Sequence, residues 1–274
     1  MVGLSIKDMI DAGVHFGHRS KYWNPKMAPY IYTTHKKLHI INLQKSSERY
    51  IEAAKFIEKL VSNNGKIMFI GTKRAASEIV KKYSDMTSMP YVNNRWLGGL
   101  LTNFNTIKKS ISKLDDLRNK LKNQSLYKLS KKQIIDLKRD IDRLEKNLLG
   151  VQSLTKLPDA LFVIDTRYER IAIQEANKLN IPVIALVDSN NSFDGVDYMI
   201  PANDDAMSSI DLFMKSISDI IVKSKPTKSE SAIKKNDNTK SIKAKKSLKA
   251  PTSVNKKSPS KKESEKKAKS SEDN

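Results

Sequence analysis

The sequence predicts a three-layer α/β domain, with a parallel sheet covered by helices on both faces. Three observations carry that expectation. Short apolar runs without polar interruption stand at residues 66–70, 160–164 and 182–187, and strands buried on both faces read this way in parallel sheets. Each run is followed by a stretch with apolar residues at helical spacing, which is the alternation of a wound sheet. From Lys223 onward large apolar residues nearly vanish, so the folded part lies before that point.

Taken in order, residues 5–12 read as a short helix. Ser5 caps it, with Asp8 as the reciprocal partner, and Gly13 stops it. Residues 15–29 hold two prolines and several aromatics and read as a loop. Residues 31–33 and 38–41 flank His35-Lys36-Lys37, which predicts a small basic hairpin. Residues 46–61 place Tyr50, Ala53, Ala54, Ile57, Leu60 and Val61 on one helical face, closed by Asn63-Asn64-Gly65. The first buried strand, 66–70, leads through Gly71-Thr72 to a helix over 74–83, and Tyr91-Val92 is a further short strand. The second strand ends at Asp165 and is followed by a helix over 168–179. The third ends at Asp188, residues 198–200 make a shorter fourth, and a helix over 205–222 completes the series.

Residues 103–149 break the pattern. Ile107, Ile111, Leu114 and Leu121 form one stripe, and Ile134, Leu137, Ile141, Leu144 and Leu148 form another. Residues 123–125 separate the two stretches and Ser130 can cap the second. This predicts an antiparallel coiled-coil hairpin, inserted into the domain and about 30 Å long. The expected organisation is therefore an α/β domain from residues 1–102 and 150–222, a hairpin insertion at 103–149, and a Lys/Ser-rich tail at 223–274. The tail is too poor in apolar residues to offset its ordering entropy and reads as disordered.

The formal net charge is +21. Residues 223–274 contain 17 Lys, no Arg and 6 acidic residues, a net of +11, so the remaining residues still carry +10. A basic domain with a basic tail points to a polyanion, because phosphates reward clustered cations through counterion release. Codon bias in an AT-rich genome explains why Lys outnumbers Arg, but not why acids fail to balance the lysines. The absence of cysteine excludes disulfides, thiolate metal sites and a Cys nucleophile. No stretch has the length of a membrane span, and the expected location is cytoplasmic.

An α/β frame also suits enzymes. Gly71-Thr72-Lys73-Arg74 could seat a phosphate at a helix N-terminus, but it has neither the dinucleotide fingerprint nor P-loop spacing, and no nucleophile elbow is present. All four histidines fall between His15 and His39. His18 with Asp188 and Asp204 or Asp205 is compatible with zinc ligand chemistry. The alternative is that His15 and His18 only pack at a turn, and that Asp204-Asp205 cap a helix. Tyr22-Trp23-Asn24-Pro25-Lys26 and Asn93 to Gly99 mix aromatics, amides and cations, as RNA-binding loops do. Their tryptophans could equally anchor loops on the sheet.

Several strings then add up to a resemblance: AGVHFGH (12–18), WNPKM (23–27), HIINL (39–43), GTKRAASE (71–78), NRWLGGLLTN (94–103), LPDALFVID (157–165), IPVIALVD (181–188), GVD (195–197) and IPANDDA (200–206). In this order they resemble the bacterial small-subunit ribosomal protein two family over residues 5–222. The resemblance implies a flavodoxin-like sheet with a helical hairpin insertion and no catalytic activity. It implies binding to small-subunit ribosomal RNA and contact with neighbouring small-subunit ribosomal proteins, including the large messenger-binding protein one. No membrane and no homo-oligomer are expected. No cofactor is required, although the pocket near His18, Asp188 and Asp205 is implied to hold zinc and help dock that neighbour. Asn94 and Phe104 stand where the family is expected to have His and Trp, and the tail exceeds the family's expected length. The residues expected to meet RNA are Arg19, Lys21, Lys26, Lys73, Arg74, Arg95, Trp96, Lys108, Lys109 and Lys113. The rival readings are an α/β enzyme or binding protein for a phosphorylated small molecule at Gly71-Arg74, and a coiled-coil adaptor.

Overall fold

The computed structural model of the chain describes residues 4–123 and 130–225. Along it run α1 (Ile6–Asp11), β1 (Phe16–Arg19), 3-10 turns at Ser20–Tyr22 and Pro25–Tyr30, β2 (Ile31–His35), β3 (Leu38–Ile41) and α2 (Leu43–Ser62). Next come β4 (Ile67–Ile70), α3 (Arg74–Thr87), β5 (Tyr91–Val92), α4 (Phe104–Lys122) and α5 (Lys131–Leu148). A turn at Leu149–Val151, β6 (Ala160–Ile164), α6 (Arg170–Lys178), β7 (Val183–Val187), β8 (Tyr198–Pro201) and α7 (Met207–Ser224) complete it.

Five parallel strands form the main sheet in the order β5-β4-β6-β7-β8. This is the flavodoxin-type order, reversing direction beside β4. Every residue of β4, β6 and β7 is buried, as the uninterrupted apolar runs require. Successive side chains alternate between two cores. Phe69, Phe162, Ile184 and Ile200 pack with α2, α3 and α7 on one face. Met68, Leu161, Val163 and Ala185 pack with α6 and the start of α4 on the other. Burying each large side chain contributes about 1.5–3 kcal/mol. Pro201 sits on the edge strand β8, where proline is tolerated.

The expected hairpin is present as β2 and β3, with Lys36 and Lys37 both at positive φ in its turn. It belongs to a second, three-stranded antiparallel sheet, because residues 16–19, expected as loop, form β1 against β3. This small sheet is stitched to the carboxyl end of the parallel one. Asn24 N donates to Ser189 O at 2.8 Å, and Asn203 N to Val14 O at 3.1 Å. Gly17 makes the approach close: a Cβ there would lie 2.7 Å from Ser189 Oγ.

Several helix starts differ from expectation, α6 among them, which begins at Arg170 rather than at 168. Ser5 caps α1 through Lys7 N rather than through a box with Asp8. α2 begins earlier because the Asn42 side chain accepts from Gln44 N and Lys45 N. α7 begins at Met207, and Asn203 Oδ1 accepts from Asp205 N and Ala206 N ahead of it. The expectation that Asp204-Asp205 cap this helix is therefore corrected, since Asn203 takes the backbone donors and leaves both carboxylates free to turn elsewhere. Ser130 does cap α5, in a reciprocal box with Gln133.

α4 and α5 run antiparallel. Arg118 Nε donates to Glu145 at 2.8 Å, and Gln152, beyond α5, donates to Asp115 at 2.8 Å. Ile107, Ile111, Leu114, Ile141 and Leu148 are buried. Leu121, Ile134 and Leu137 are only half-buried, so the shared stripe opens toward the connection. Part of the expected break at 123–125, and the tail from residue 226, lie outside the described residues.

Candidate functional site: an acid cluster at the sheet end and a basic exterior

The carboxyl ends of β4, β6, β7 and β8 converge on one cluster. The turn after β6 puts Asp165 at φ +70°, a left-handed conformation that Asp tolerates better than most residues. Its Oδ1 accepts from Arg167 N and Tyr168 N, which holds the turn. Asp188 ends β7, and its Oδ1 accepts from Ser189 N and Ser189 Oγ. Ser189 Oγ in turn accepts from His18 N at 2.8 Å. That bond hangs β1 over the sheet end and delivers the His18 ring.

His18 lies between two carboxylates: Nδ1 is 3.0 Å from Asp188 Oδ2, and Nε2 is 3.1 Å from Asp205 Oδ2. The pKa of the ring is raised, by the Asp188 contact first and by the surrounding charges of Asp188, Asp205 and Asp204, against the opposing effect of burial. Lys73 enters from the start of α3. Its Nζ is 2.8 Å from Asp204 Oδ1 and 3.3 Å from Asp165 Oδ2, and it also meets Asp205. Burial alone would lower its pKa, but the carboxylates, Asp204 foremost, raise it above the ordinary lysine value. Asp204 is fully buried. Burial, and then repulsion from Asp165 and Asp188, push its pKa up to about 7. Asn191 Nδ2 bridges Asp204 Oδ2 at 2.8 Å and Asp165 Oδ1 at 3.2 Å.

His18, Asp188, Asp204 and Asp205 each offer a ligand atom, all within 4.8 Å of one another. One imidazole with three carboxylates is a donor set that zinc accepts. Asp188 Oδ2 is buried and has no hydrogen-bond partner. It lies 3.0 Å from His18 Nδ1, the contact that raises the pKa of the ring. An acceptor in that state fits a cation in the gap. Two of the three carboxylates, Asp204 and Asp205, already carry the Lys73 ammonium, so a bound cation would share ligands with the lysine.

The Gly71-Thr72 turn meets a different fate from that expected of a phosphate site. Thr72 N and Thr72 Oγ1 both donate to the buried Glu169 Oε1, at 2.8 and 2.5 Å. Burial raises the pKa of Glu169, and the Thr72 bonds partly oppose this. A phosphate would need the same donors and would face Glu169 and Asp165. The fold's usual ligand crevice, at the point where strand order reverses, is thus filled by the chain's own carboxylate. This removes the support for a phosphorylated small molecule at Gly71-Arg74.

The remaining predicted residues separate into two groups. Arg19, Lys21, Arg74, Arg95, Lys108, Lys109 and Lys113 are exposed, and none of them belongs to an ion pair among the described residues. Lys108 Nζ stands 4.7 Å over the Phe104 ring. Lys26, also exposed, is paired with Asp194 at 2.6 Å. Lys73 and Trp96 turn inward. Trp96 is 8% exposed, and its indole N–H donates to Glu175 at 3.1 Å, so the ring anchors its loop on the core.

Glu175 is the residue that sequence reasoning missed. It is buried in α6, yet its carboxylate gathers five donors: Trp96 Nε1, Gly99 N, Leu101 N, Thr102 N and Thr102 Oγ1. Burial pulls its pKa up, but these bonds outweigh it and the net shift is downward. Glu175 thereby fixes the loop that leads into α4. The available signal was an acid inside an apolar stripe, since Ala172, Ile173 and Ala176 beside it are all buried.

The profile of the family described as Ribosomal protein S2 matches residues 9–224. Among curated relatives, a protein of Hahella chejuensis named small ribosomal subunit protein uS2 is 49% identical over 219 residues, covering 80% of this chain and 87% of the relative. A protein of the same name from Coxiella burnetii is 46% identical over 246 residues, covering 89% of this chain and 78% of the relative.

Proposed function

The chain belongs to the ribosomal protein S2 family, and from that premise we propose that it works as a rigid basic platform laid against ribosomal RNA. It is a structural component of the small ribosomal subunit and takes part in translation, and its family is not one of enzymes. Its partners are ribosomal RNA and other ribosomal proteins. The observation that carries the platform reading is the set of exposed cations, from Arg19 and Lys21 to Lys109 and Lys113, that join no ion pair among the described residues, on a chain of formal net charge +21. Lys26 adds a cation already oriented by Asp194.

In this reading α4 and α5 form a coiled-coil insertion at residues 103–149, inserted between the two parts of the α/β domain, 1–102 and 150–222. The basic tail, 223–274, follows nearby phosphates without sequence preference. The His18 pocket holds zinc, with His18, Asp188, Asp204 and Asp205 as ligands. Bound there, the ion would supply a structural crosslink between β1 and the sheet end, the region suited to docking the large messenger-binding protein one. The chain acts in the cytoplasm as a single copy. No helix among the described residues is long and apolar enough to cross a membrane.

Co-sedimentation tests the reading. The chain should travel with small ribosomal subunits in moderate salt and leave them in high salt, since phosphate contacts weaken steeply as salt rises. Subunits that assemble normally and never retain the chain would overturn it.

A further inference from the structure

One strand over from the crevice that Glu169 fills, a second one is open. A cavity of about 540 Å³ lies between α6 and the segment after β7, bounded by Arg167, Arg170, Gln174, Asn177, Asn190 and Asn191. It sits beyond the carboxyl ends of β6 and β7, one step away from the reversal of strand order. Its volume falls within the range of small-ligand sites.

The lining includes two guanidiniums and five amides, Asn24 being the fifth. Arg167 and Arg170 are exposed, and neither joins an ion pair among the described residues. Asp194, the carboxylate at the rim, is neutralised by Lys26 and also accepts from Ser192 Oγ. Asn191 is 1% exposed. Its Nδ2 must face Asp165 and Asp204, which fixes the amide plane and leaves Oδ1 buried without a partner. Asn190 Oδ1 is in the same condition. Both oxygens are closed off inside the wall, so the amides that face the cleft are those of Asn24, Gln174 and Asn177. On the same turn as the arginines, Tyr168 is 65% exposed and offers a ring face for stacking.

We propose that this cleft seats one unstacked ribonucleotide of an RNA strand, its phosphate on Arg167 and Arg170 and its base edge against the amides. Single-stranded RNA is read in this way, by splayed bases hydrogen-bonded on their edges beside aromatic and arginine planes. A strand suits the site better than a free nucleotide. The phosphate ligands are long exposed arginines that meet a backbone from outside, and the backbone cradle a free phosphate would use is occupied at Thr72. The proposal rests on the reading of the chain as a ribosomal RNA binder and adds a specific contact to it.

The test uses the full chain and a small-subunit ribosomal RNA transcript. Three variants are compared: Arg167→Ala with Arg170→Ala, Gln174→Trp, and Lys109→Ala with Lys113→Ala. Affinity and per-nucleotide 2′-hydroxyl reactivity are read for each, with folding checked by circular dichroism. The wild-type complex should contain one isolated nucleotide whose reactivity changes on binding. Both cleft variants should abolish that change and weaken binding about five-fold or more. Gln174→Trp should do so without altering the salt slope, because it fills the cavity and removes no charge. The α4 pair should leave the nucleotide unchanged. All three cleft positions are exposed, and either cleft variant carries the test if the other fails to fold. Wild-type RNA binding with both cleft variants indistinguishable from it overturns the cleft alone, as does saturable binding of free nucleoside monophosphates. No RNA binding by the wild type overturns both the cleft and the reading beneath it.

Discussion

Replacing Glu175 by glutamine keeps the side chain's shape and exchanges one carboxylate oxygen for an NH₂ group. The two oxygens divide their donors: Trp96 Nε1 at 3.1 Å and Gly99 N at 2.7 Å on Oε1, and Leu101 N, Thr102 N and Thr102 Oγ1, each at 3.1 Å, on Oε2. An NH₂ at the first position confronts two N–H groups. At the second it again confronts two, since the Thr102 hydroxyl can rotate to accept. Either orientation leaves two N–H donors unmet, at about 1–3 kcal/mol each, so Glu175→Gln should cost roughly 4 kcal/mol. That is a large fraction of the 5–15 kcal/mol typical of a folded domain, and lowers the melting temperature by about 8–16 °C at this size. The pH dependence follows from the same bonds. The Glu175 carboxyl is held below its ordinary value of 4.5, so its stabilisation is fully present above that value and is lost as pH falls through the depressed one. Urea denaturation of both proteins should show a gap at neutral pH that narrows in acid. A gap under about 1 kcal/mol at pH 7 would refute the claim that Glu175 organises the loop.

Glu169 should behave in the opposite sense. Burial raises its pKa, so the ionised form opposes folding, and that penalty grows as pH rises through the shifted value. Glu169→Gln keeps an acceptor for Thr72 and should be neutral or stabilising by up to about 1 kcal/mol at pH 7; a loss of stability in the same denaturation assay contradicts this. Gly17→Ala pushes a methyl to 2.7 Å from Ser189 Oγ and should destabilise by about 1–3 kcal/mol, with loss of the His18 N to Ser189 Oγ bond visible as faster amide exchange. His18→Ala should lower the zinc content of chain purified with the metal, as read by elemental analysis, and equal content in both proteins removes the ligand assignment. Removing residues 223–274 takes away 17 lysines and should flatten the salt dependence of RNA binding; an unchanged slope rules out the tail as a phosphate tracker.

The strands of the parallel sheet were legible because burial on both faces leaves a signature within four or five residues, as in Ile67–Ile70 and Ala160–Ile164. β1 was not. Phe16-Gly17-His18-Arg19 has neither alternation nor an apolar run, and it is a strand only because β3 lies alongside. The start of α2 was misjudged because Asn42 and Ser46 are both competent caps, and only the backbone decides between them. At the site, the His18, Asp188, Asp204 and Asp205 set was recoverable from the family's strings. The pairing of Lys73 was not, because its carboxylates stand 92 to 132 residues away and an exposed lysine on RNA reads identically in sequence. Trp96 was open between stacking and anchoring until its partner, Glu175, was in place.

The stitching of β1 to the sheet end also sets an order of events during synthesis. The donor His18 N and the acceptor Ser189 Oγ are 171 positions apart, and Asn203 reaches back to Gly13 across 190. Contacts of such separation close late and slowly, and the chain emerges from its amino end first. β1 can pair with β3 early, but until β7 and the segment around Asn203 have been made the His18 ring has no carboxylates to meet. The nascent chain therefore carries this small sheet unattached for most of its elongation, and it is fastened to the parallel sheet in a single late step when the last strand arrives.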